Sequence, residues 1–322
     1  MISFIIRRIL IMIPMMFLIS LICYMVIELQ PGDFASQYLE NPRVSPEQIR
    51  YIRETYGLDQ PPIVRYGMWI KGILTEFDFG YSFSHKRPVA DLIWERMGWT
   101  VMIALTTIVI SWLIALPVGI YSALKPYSPA DYAFTTVGFL GISFPEFFLA
   151  LILMFIALQS GATSVGGLFS SPFIGAPWSW AKFVDLLQHL WMPLIVIGFS
   201  GWAGLMRVMR GNMLDMLGSP FVNSLRARGL PEKRVRAHVI KNALNPMVSI
   251  AGMELPNIFS GTVIASIVLN LPTMGPFFYD SLRSQDQYLV MSFLMFIAII
   301  AQIGNLLADI ALALLDPRIR MS

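Results

Sequence analysis

The sequence predicts an all-α membrane protein that crosses the bilayer six times with both termini in the cytoplasm. Three observations carry this. First, 56% of the 322 residues are hydrophobic, only 13% are charged, and mean hydropathy is +0.65. Soluble domains carry about 25% charged residues. A disordered chain, a disulfide-stapled secreted domain and an ordinary cytosolic enzyme are thereby excluded. Second, the apolar residues fall in continuous runs approaching or exceeding the roughly 20 residues a spanning helix needs. They do not form the alternating segments of about 10 residues that mark barrel strands. Third, the basic residues concentrate in alternate connecting segments.

The expected spans are Ile9–Leu29, Val101–Leu124, Tyr132–Leu158, a shorter Leu190–Met206, Val248–Leu271 and Tyr288–Leu315. Arg7 and Arg8 precede the first, as in a signal peptide, but the apolar run is too long and no A-x-A site follows. A twin-arginine export signal is weaker still, because the residues before Arg7 are apolar. The two arginines therefore read as cytoplasmic anchors of an uncleaved helix. With the N-terminus inside, the cytoplasmic segments hold Arg7, Arg8, Lys125, Arg318, Arg320 and the dense run Arg207, Arg210, Arg226, Arg228, Lys233, Arg234, Arg236 and Lys241. The opposing segments are balanced in charge. The organisation read from this is a first helix over 1–30, an outer cap segment over 31–98, and a five-helix core over 99–322.

The cap segment carries a helix signal. Ser45 is an N-cap, Pro46 suits the first turn, Gln48 completes a capping box, Ile49, Ile52 and Tyr56 share a face, and Gly57 ends it. A second amphipathic stretch runs from Ile63 to Leu74 with Tyr66, Trp69 and Ile70. The Gly-, Ser- and Pro-rich stretch Gly161–Trp180 reads as a loop with short turns. The basic cytoplasmic segment over 210–246 is more specific. A helical stretch over Phe221–Arg228 is broken by Gly229-Leu230-Pro231 and resumes over Glu232–Leu244, with Val235, Val239 and Ile240 on one side. Lipid binding explains its charge, but not the turn between two helices.

The run Asn223-Ser224-Leu225-Arg226-Ala227-Arg228-Gly229-Leu230, followed by His238, Asn242 and Pro246, resembles the EAA-type coupling loop of ABC importer permeases. The nearest variant is the B-type permease of oligopeptide, dipeptide and nickel importers. The likeness extends along the chain through Arg7-Arg8, Pro14 and Pro31-Gly32-Asp33, then Gly57-Leu58-Asp59, Pro61, Arg65-Tyr66 and Trp69. It continues through Asp78, Gly80, Ser82, Pro88-Val89, Arg96 and Thr100 to Asp316-Pro317-Arg318. The sequence departs from the family pattern at Asn223 and Leu225, and at Ser266, Leu269 and Pro272–Gly275 in the exit from the fifth span. The resemblance implies a type I importer permease taking up oligopeptides or dipeptides, or oligosaccharides where the exit is altered. It implies a second, homologous permease, two ATPase subunits that bind the ATP and Mg, and an extracytoplasmic solute-binding protein. No Gly-Lys dipeptide occurs, so this chain has no phosphate loop of its own. Besides these partners only membrane lipid is expected, with no nucleic acid.

Two other readings compete on the residues. An ion-coupled transporter would use intramembrane acids, and Glu146, Glu254 and Asp309 lie in or near spans. No inverted repeat or matched pair of broken helices is apparent to support it. An intramembrane serine protease would use Ser200 in Gly198-Phe199-Ser200-Gly201. The nearest histidine, His189, would sit about 16 Å away along a helix, and His85 and His238 lie outside the spans. Close packing is the better role for Gly198, Ser200, Gly201 and Gly204. Cys23 is the single cysteine, so neither a disulfide nor a thiolate metal site is expected. Trp94, Trp99, Trp178, Trp180 and Trp191 fit an interfacial belt. Glu146, Glu254, Asn257, Ser260 and Asn305, with Asn270 and Gln302, are the polar residues that could line a path; helix packing would use the same residue types.

Overall fold

The computed structural model describes residues 2–30, 35–36, 45–55, 57–161 and 165–315. The expected Pro31-Gly32-Asp33 exit, Tyr56 and the Asp316-Pro317-Arg318 ending lie outside them. The helices are α1 (Ile2–Glu28), α2 (Pro46–Thr55), α3 (Pro62–Glu76), α4 (Val89–Leu124), α5 (Pro129–Ser143), α6 (Glu146–Gln159) and α7 (Trp180–Leu217). They continue with α8 (Pro220–Ala227), α9 (Glu232–Ala243), α10 (Asn245–Gly261), α11 (Val263–Val268), α12 (Met274–Arg283) and α13 (Gln287–Leu315). An antiparallel ribbon of β1 (Tyr81–Ser82) and β2 (Arg87–Pro88) pairs Tyr81 with Pro88 and Ser82 with Arg87. The all-α expectation missed this ribbon because two-residue strands leave no periodic signal.

Four helices, α1, α4, α7 and α13, are long and apolar enough to cross a membrane. A fifth span arises if α5 and α6 are taken together. The expected third span, Tyr132–Leu158, is thus not one helix: α5 and α6 meet at 104°. Phe144 is extended (φ −83°, ψ 125°) ahead of Pro145, the conformation that proline imposes on its predecessor. The expected fifth span is likewise divided at Thr262 into α10 and the short α11. The expected fourth span, Leu190–Met206, lies within a longer helix. Ser179 caps α7, its Oγ accepting from Lys182 N–H at 3.2 Å, and the helix runs 38 residues through Arg207 and Arg210 to Gly218. The basic segment accordingly begins on α7 rather than in a loop.

The chain forms two compact units. One comprises Met1–Ile5, Val101–Leu271 and Ile303–Ser322. Within it α5 and α6 pack on α7, and α7 packs on α9 and α10. Gly119 on α4 lies against α7, where a Cβ would stand 2.8 Å from the Met206 carbonyl oxygen. Gly198 is close-packed as expected, whereas a Cβ at Gly201 or Gly204 would meet nothing of this chain within 4 Å. Asp131 and Arg210 join α5 to α7 through two bonds of 2.8 Å, Nε to Oδ1 and Nη2 to Oδ2. Asp131 also accepts from Tyr127 N–H.

The other unit comprises Ile6–Thr100 and Pro272–Gln302. Its core joins Tyr24 and Ile27 of α1, Tyr66, Trp69 and Ile73 of α3, and Val290 and Met291 of α13. Buried Arg65 donates to Glu28 at 2.5 Å and to Gln287 at 3.0 Å. The capping box forms as expected: Gln48 N–H donates to Ser45 Oγ at 3.2 Å and Ser45 N–H to Gln48 Oε1 at 2.9 Å. Gly57 follows α2 with φ +64°. Asp286 is fully buried and accepts at Oδ2 from Ser82 Oγ (2.6 Å), Ser84 N–H (3.0 Å) and Ser84 Oγ (2.8 Å). That carboxylate pins the ribbon to the start of α13. Thr100 Oγ accepts from Met274 N–H at 2.9 Å, satisfying a first-turn donor of α12.

Candidate functional site

The segment singled out by the sequence is a helix–turn–helix, α8 then α9, on a buried apolar platform. Ser219 and Pro220 open α8. Val222 and Leu225 turn inward and join Met209 and Met213 of α7, Val235 and Val239 of α9, and Met247 of α10. Asn223, Ser224, Arg226, Ala227 and Arg228 face outward. Eight-residue runs with two inward apolar positions three apart give that division directly. Leu225 and Leu230, read from sequence as part of the coupling motif, therefore serve as its anchor rather than its exposed face.

The turn is a Schellman motif. Gly229 adopts φ +76°. Its N–H donates to the Arg226 carbonyl at 2.9 Å, and Leu230 N–H donates to the Leu225 carbonyl at 3.2 Å. These bonds satisfy the last carbonyls of α8. Leu230 packs into the same cluster as Leu225, as the motif's hydrophobic contact requires. Pro231 then starts α9. Arg226 clasps Glu232 across the turn at 2.8 Å from Nε to Oε1. This hydrogen bond holds the Glu232 carboxyl below its ordinary range. His238 is exposed on α9, and Asn242 bonds back to the His238 carbonyl at 2.9 Å. Pro246 sits in the first turn of α10, where a missing N–H is harmless. Asn212 of α7 donates to the Ala243 carbonyl at 3.2 Å and ties the end of α9 to the long helix.

The candidate path residues are only partly brought together. Glu146, Glu254 and Asn257 line one cavity of about 220 Å³ with Thr107, Ser111 and Ser200. Asn305 is on an exposed position of α13 outside that lining. The Ser260 side chain lies outside the described residues. Asn270 ends α11 with φ +50°, in a second Schellman turn where Leu271 N–H donates to the Ser266 carbonyl at 2.9 Å. Gln302 contacts Met15 Sδ at 3.8 Å. Ser200 Oγ donates to Glu146 at 3.0 Å, so the serine is engaged with a carboxylate and not with a histidine. That removes the geometric basis of the protease reading.

The loop after α6 is more built than its composition suggested. Gly167 N–H donates to the Leu269 carbonyl at 2.7 Å. Buried Asp185 of α7 accepts from Ser170 N–H (2.8 Å) and Ser170 Oγ (2.6 Å). Lys182 bonds the Ala176 carbonyl and stands over the rings of Phe169 and Trp178. Asp131, Asp185 and Asp286 were missed in the sequence. For Asp131 a local signal existed, since Ser128-Pro129-Ala130-Asp131 is a helix start with an acid in its first turn.

A chain with several apolar spans and a helix–turn–helix on a basic segment has the build of a multi-pass transport protein. The model of the binding-protein-dependent transport system inner membrane component matches residues 115–321, and that of its N-terminal companion matches residues 1–104. The chain is 33% identical to the oligopeptide transport system permease protein AppB of Bacillus subtilis over 322 residues, covering 98% of this chain and 99% of that protein. It is 28% identical to the nickel import system permease protein NikB of Staphylococcus aureus (strain MRSA252) over 320 residues, covering 98% of this chain and 92% of that protein. The chain belongs to the binding-protein-dependent inner membrane component family: it is a permease of the ABC importer type, a multi-pass protein of the bacterial inner membrane. Its relatives are permease subunits rather than enzymes, and the family works in membrane complexes with other ABC components.

Proposed function

We propose that this chain is the translocation subunit of an ATP-driven, binding-protein-dependent importer of oligopeptides. The observation that carries the coupling half of this reading is the Gly229 turn: a geometrically closed, outward-facing polar tip on a rigid apolar base. Such a tip can seat in a groove of an ATPase subunit and pass its motion to α7 and α10 as a rigid body. Asn223, Ser224, Arg226, Ala227, Arg228 and Gly229 form the contacting face, Leu225 and Leu230 anchor it, and His238, Asn242 and Pro246 link it to α10. The cargo half of the reading draws on the full-length likeness to an oligopeptide permease.

The proposed complex contains a second, homologous permease, two ATPase subunits that hold ATP and Mg, and an extracytoplasmic binding protein. In this reading the chain spans six times, with α5–α6 and α10–α11 as broken spans, 31–98 outside, and the termini and the 210–246 segment inside. The path runs past Glu146, Glu254 and Asn257. Reconstitution of the full complex in proteoliposomes tests this. Labelled oligopeptide should enter only with ATP and binding protein, and should continue when an uncoupler collapses the proton gradient at clamped ATP. Uptake that follows the gradient would overturn the ATP-driven mechanism. Uptake of a labelled oligosaccharide or of Ni²⁺ in place of peptide would overturn the cargo assignment. Labelling of Ser219→Cys from outside intact cells would overturn the orientation.

A further inference from the structure

We propose that the cavity lined by Glu146, Glu254 and Asn257 is an ammonium subsite that receives the positively charged end of the cargo during passage; this rests on the import reading above. The cavity is formed by side chains of α4, α6, α7 and α10, with Thr262 at its edge. Two carboxylates face it, and no Lys, Arg or His is among the described residues lining it. Glu146 sits in the first turn of α6, at the positive end of that helix dipole, a position that suits a carboxylate. Ser200 occupies one of its oxygens, Oε1, at 3.0 Å. The other, Oε2, is buried without a partner. A second unpartnered group points to the same ligand: Thr107 lines the cavity, is 2% exposed, and its Oγ1 has no hydrogen-bond partner.

Buried acceptors left unpaired are costly in a low-dielectric site. A ligand group made only of donors would satisfy them. An ammonium has three N–H donors and no acceptor, which serves Glu146 Oε2 and the Glu254 carboxylate, while the Thr107 hydroxyl can accept a third N–H and keeps its own proton to donate to water or the cargo. A cargo carboxylate would meet like charge and no donor comparable to a cation. A transition-metal ion fits less well, because such ions favour imidazole and thiolate ligands. The lining offers neither, and among the described residues no three His, Cys, Asp or Glu side chains group to hold a metal. At about 220 Å³ the cavity takes a charged terminus with its water, not a whole oligopeptide. It would therefore act on one end of the cargo.

The test uses the reconstituted complex carrying Cys23→Ala and Asn257→Cys. The reaction rates of a trimethylammonium thiosulfonate and of a sulfonate thiosulfonate are compared during turnover, with exposed Thr75→Cys on α3 as the reference. The cationic reagent should be favoured at position 257 by at least tenfold over the reference ratio. Glu146→Gln with Glu254→Gln should bring the ratio back to the reference. A ratio equal to the reference in the parent protein, or no reaction of either reagent during turnover, would overturn the subsite. In the second arm, two peptides that the binding protein holds equally are compared, one with a free α-amino group and one N-acetylated. Maximal uptake of the free-amino peptide should fall at least tenfold in the Gln variants, while that of the acetylated peptide holds. Equal losses for both peptides would overturn the subsite, and Glu146→Asp should restore discrimination if charge is what matters. Cation preference at Asn257→Cys without any ATP-dependent uptake would sink the importer reading and leave the subsite standing. ATP-dependent uptake without cation preference would do the reverse.

Discussion

Gly229 offers the sharpest perturbation of the coupling segment, because its substitution has one physical consequence. Its φ of +76° lies in the left-handed region, and nothing stands within 4 Å of an added Cβ. The cost of a side chain there is therefore backbone strain alone, about 1–2 kcal/mol for alanine. Asparagine enters this region more readily and costs less. Valine costs more, because its β-branch crowds the backbone. A loss of about 1–2 kcal/mol shifts the balance between the closed turn and alternatives by about 5–30-fold. The platform beneath, with Leu225, Val235 and Val239 buried, does not depend on that residue's side chain, so membrane insertion should be normal. In nanodiscs with the ATPase subunits and cargo-loaded binding protein, stimulated ATP turnover should fall in the order Gly, Asn, Ala, Val. Co-purification of the ATPases should follow the same order. Reversing Arg226 and Arg228 should do less, since exposed ion pairs contribute only about 0–1 kcal/mol. If Gly229→Val couples normally, or if charge reversal exceeds it, the turn is not the coupling element and a lipid-bound basic loop explains the segment better.

Removing the Asp131 carboxylate by Asp131→Ala should lower stability by about 3–5 kcal/mol, because partly buried Arg210 loses its partner; thermal unfolding in detergent reads this, and Asp131→Leu with Arg210→Met should recover most of it. Gly119→Val should destabilise by about 1–3 kcal/mol through overpacking against α7, whereas Gly201→Val, with nothing within 4 Å of its Cβ, should unfold as the parent does. The Glu232 carboxyl is held below its ordinary 4.5 by Arg226, so its contribution to the turn is full above that value and fades as pH falls through the lowered one. The difference in amide-exchange protection at Gly229 between the parent and Glu232→Gln, corrected for intrinsic exchange, should therefore be constant above about pH 5 and shrink in more acid solution.

The parts of this fold that could be read from the sequence are those fixed by local chemistry. The Ser45–Gln48 capping box, the Gly57 stop, the α8–Gly229–α9 unit and the apolar character of α1, α4, α7 and α13 each follow from residues within a few positions. What could not be read depends on partners distant in the chain. Asp286 finds Ser82 and Ser84 more than 200 residues away, and Asp131 finds Arg210 79 residues away. A lone aspartate beside an apolar run carries no mark of either fate. Thr107, which lines the cavity, looks like any other threonine in a spanning helix for the same reason.

The hydropathy reading takes two helix pairs for single helices, and both pairs carry residues of the same cavity lining. A run of apolar residues over 132–158 predicts one straight helix, yet Pro145 divides it and delivers Glu146 to the first turn of the second half. The run over 248–271 is divided at Thr262, another residue of the cavity lining. Breaks within a bilayer are tolerated only where the freed backbone groups meet protein or water, and a cavity with polar lining is a place that can satisfy them. Apolarity measures whether a segment can enter the bilayer, not whether it stays helical there. A count based on it loses spans at the breaks, where polar side chains and helix ends can be gathered into one place. Beyond the four long apolar helices and the bent pair α5–α6, the 17 residues of α10 and the six of α11 make up the remaining divided run, and Glu146 and Thr262 place both divisions beside the same cavity lining.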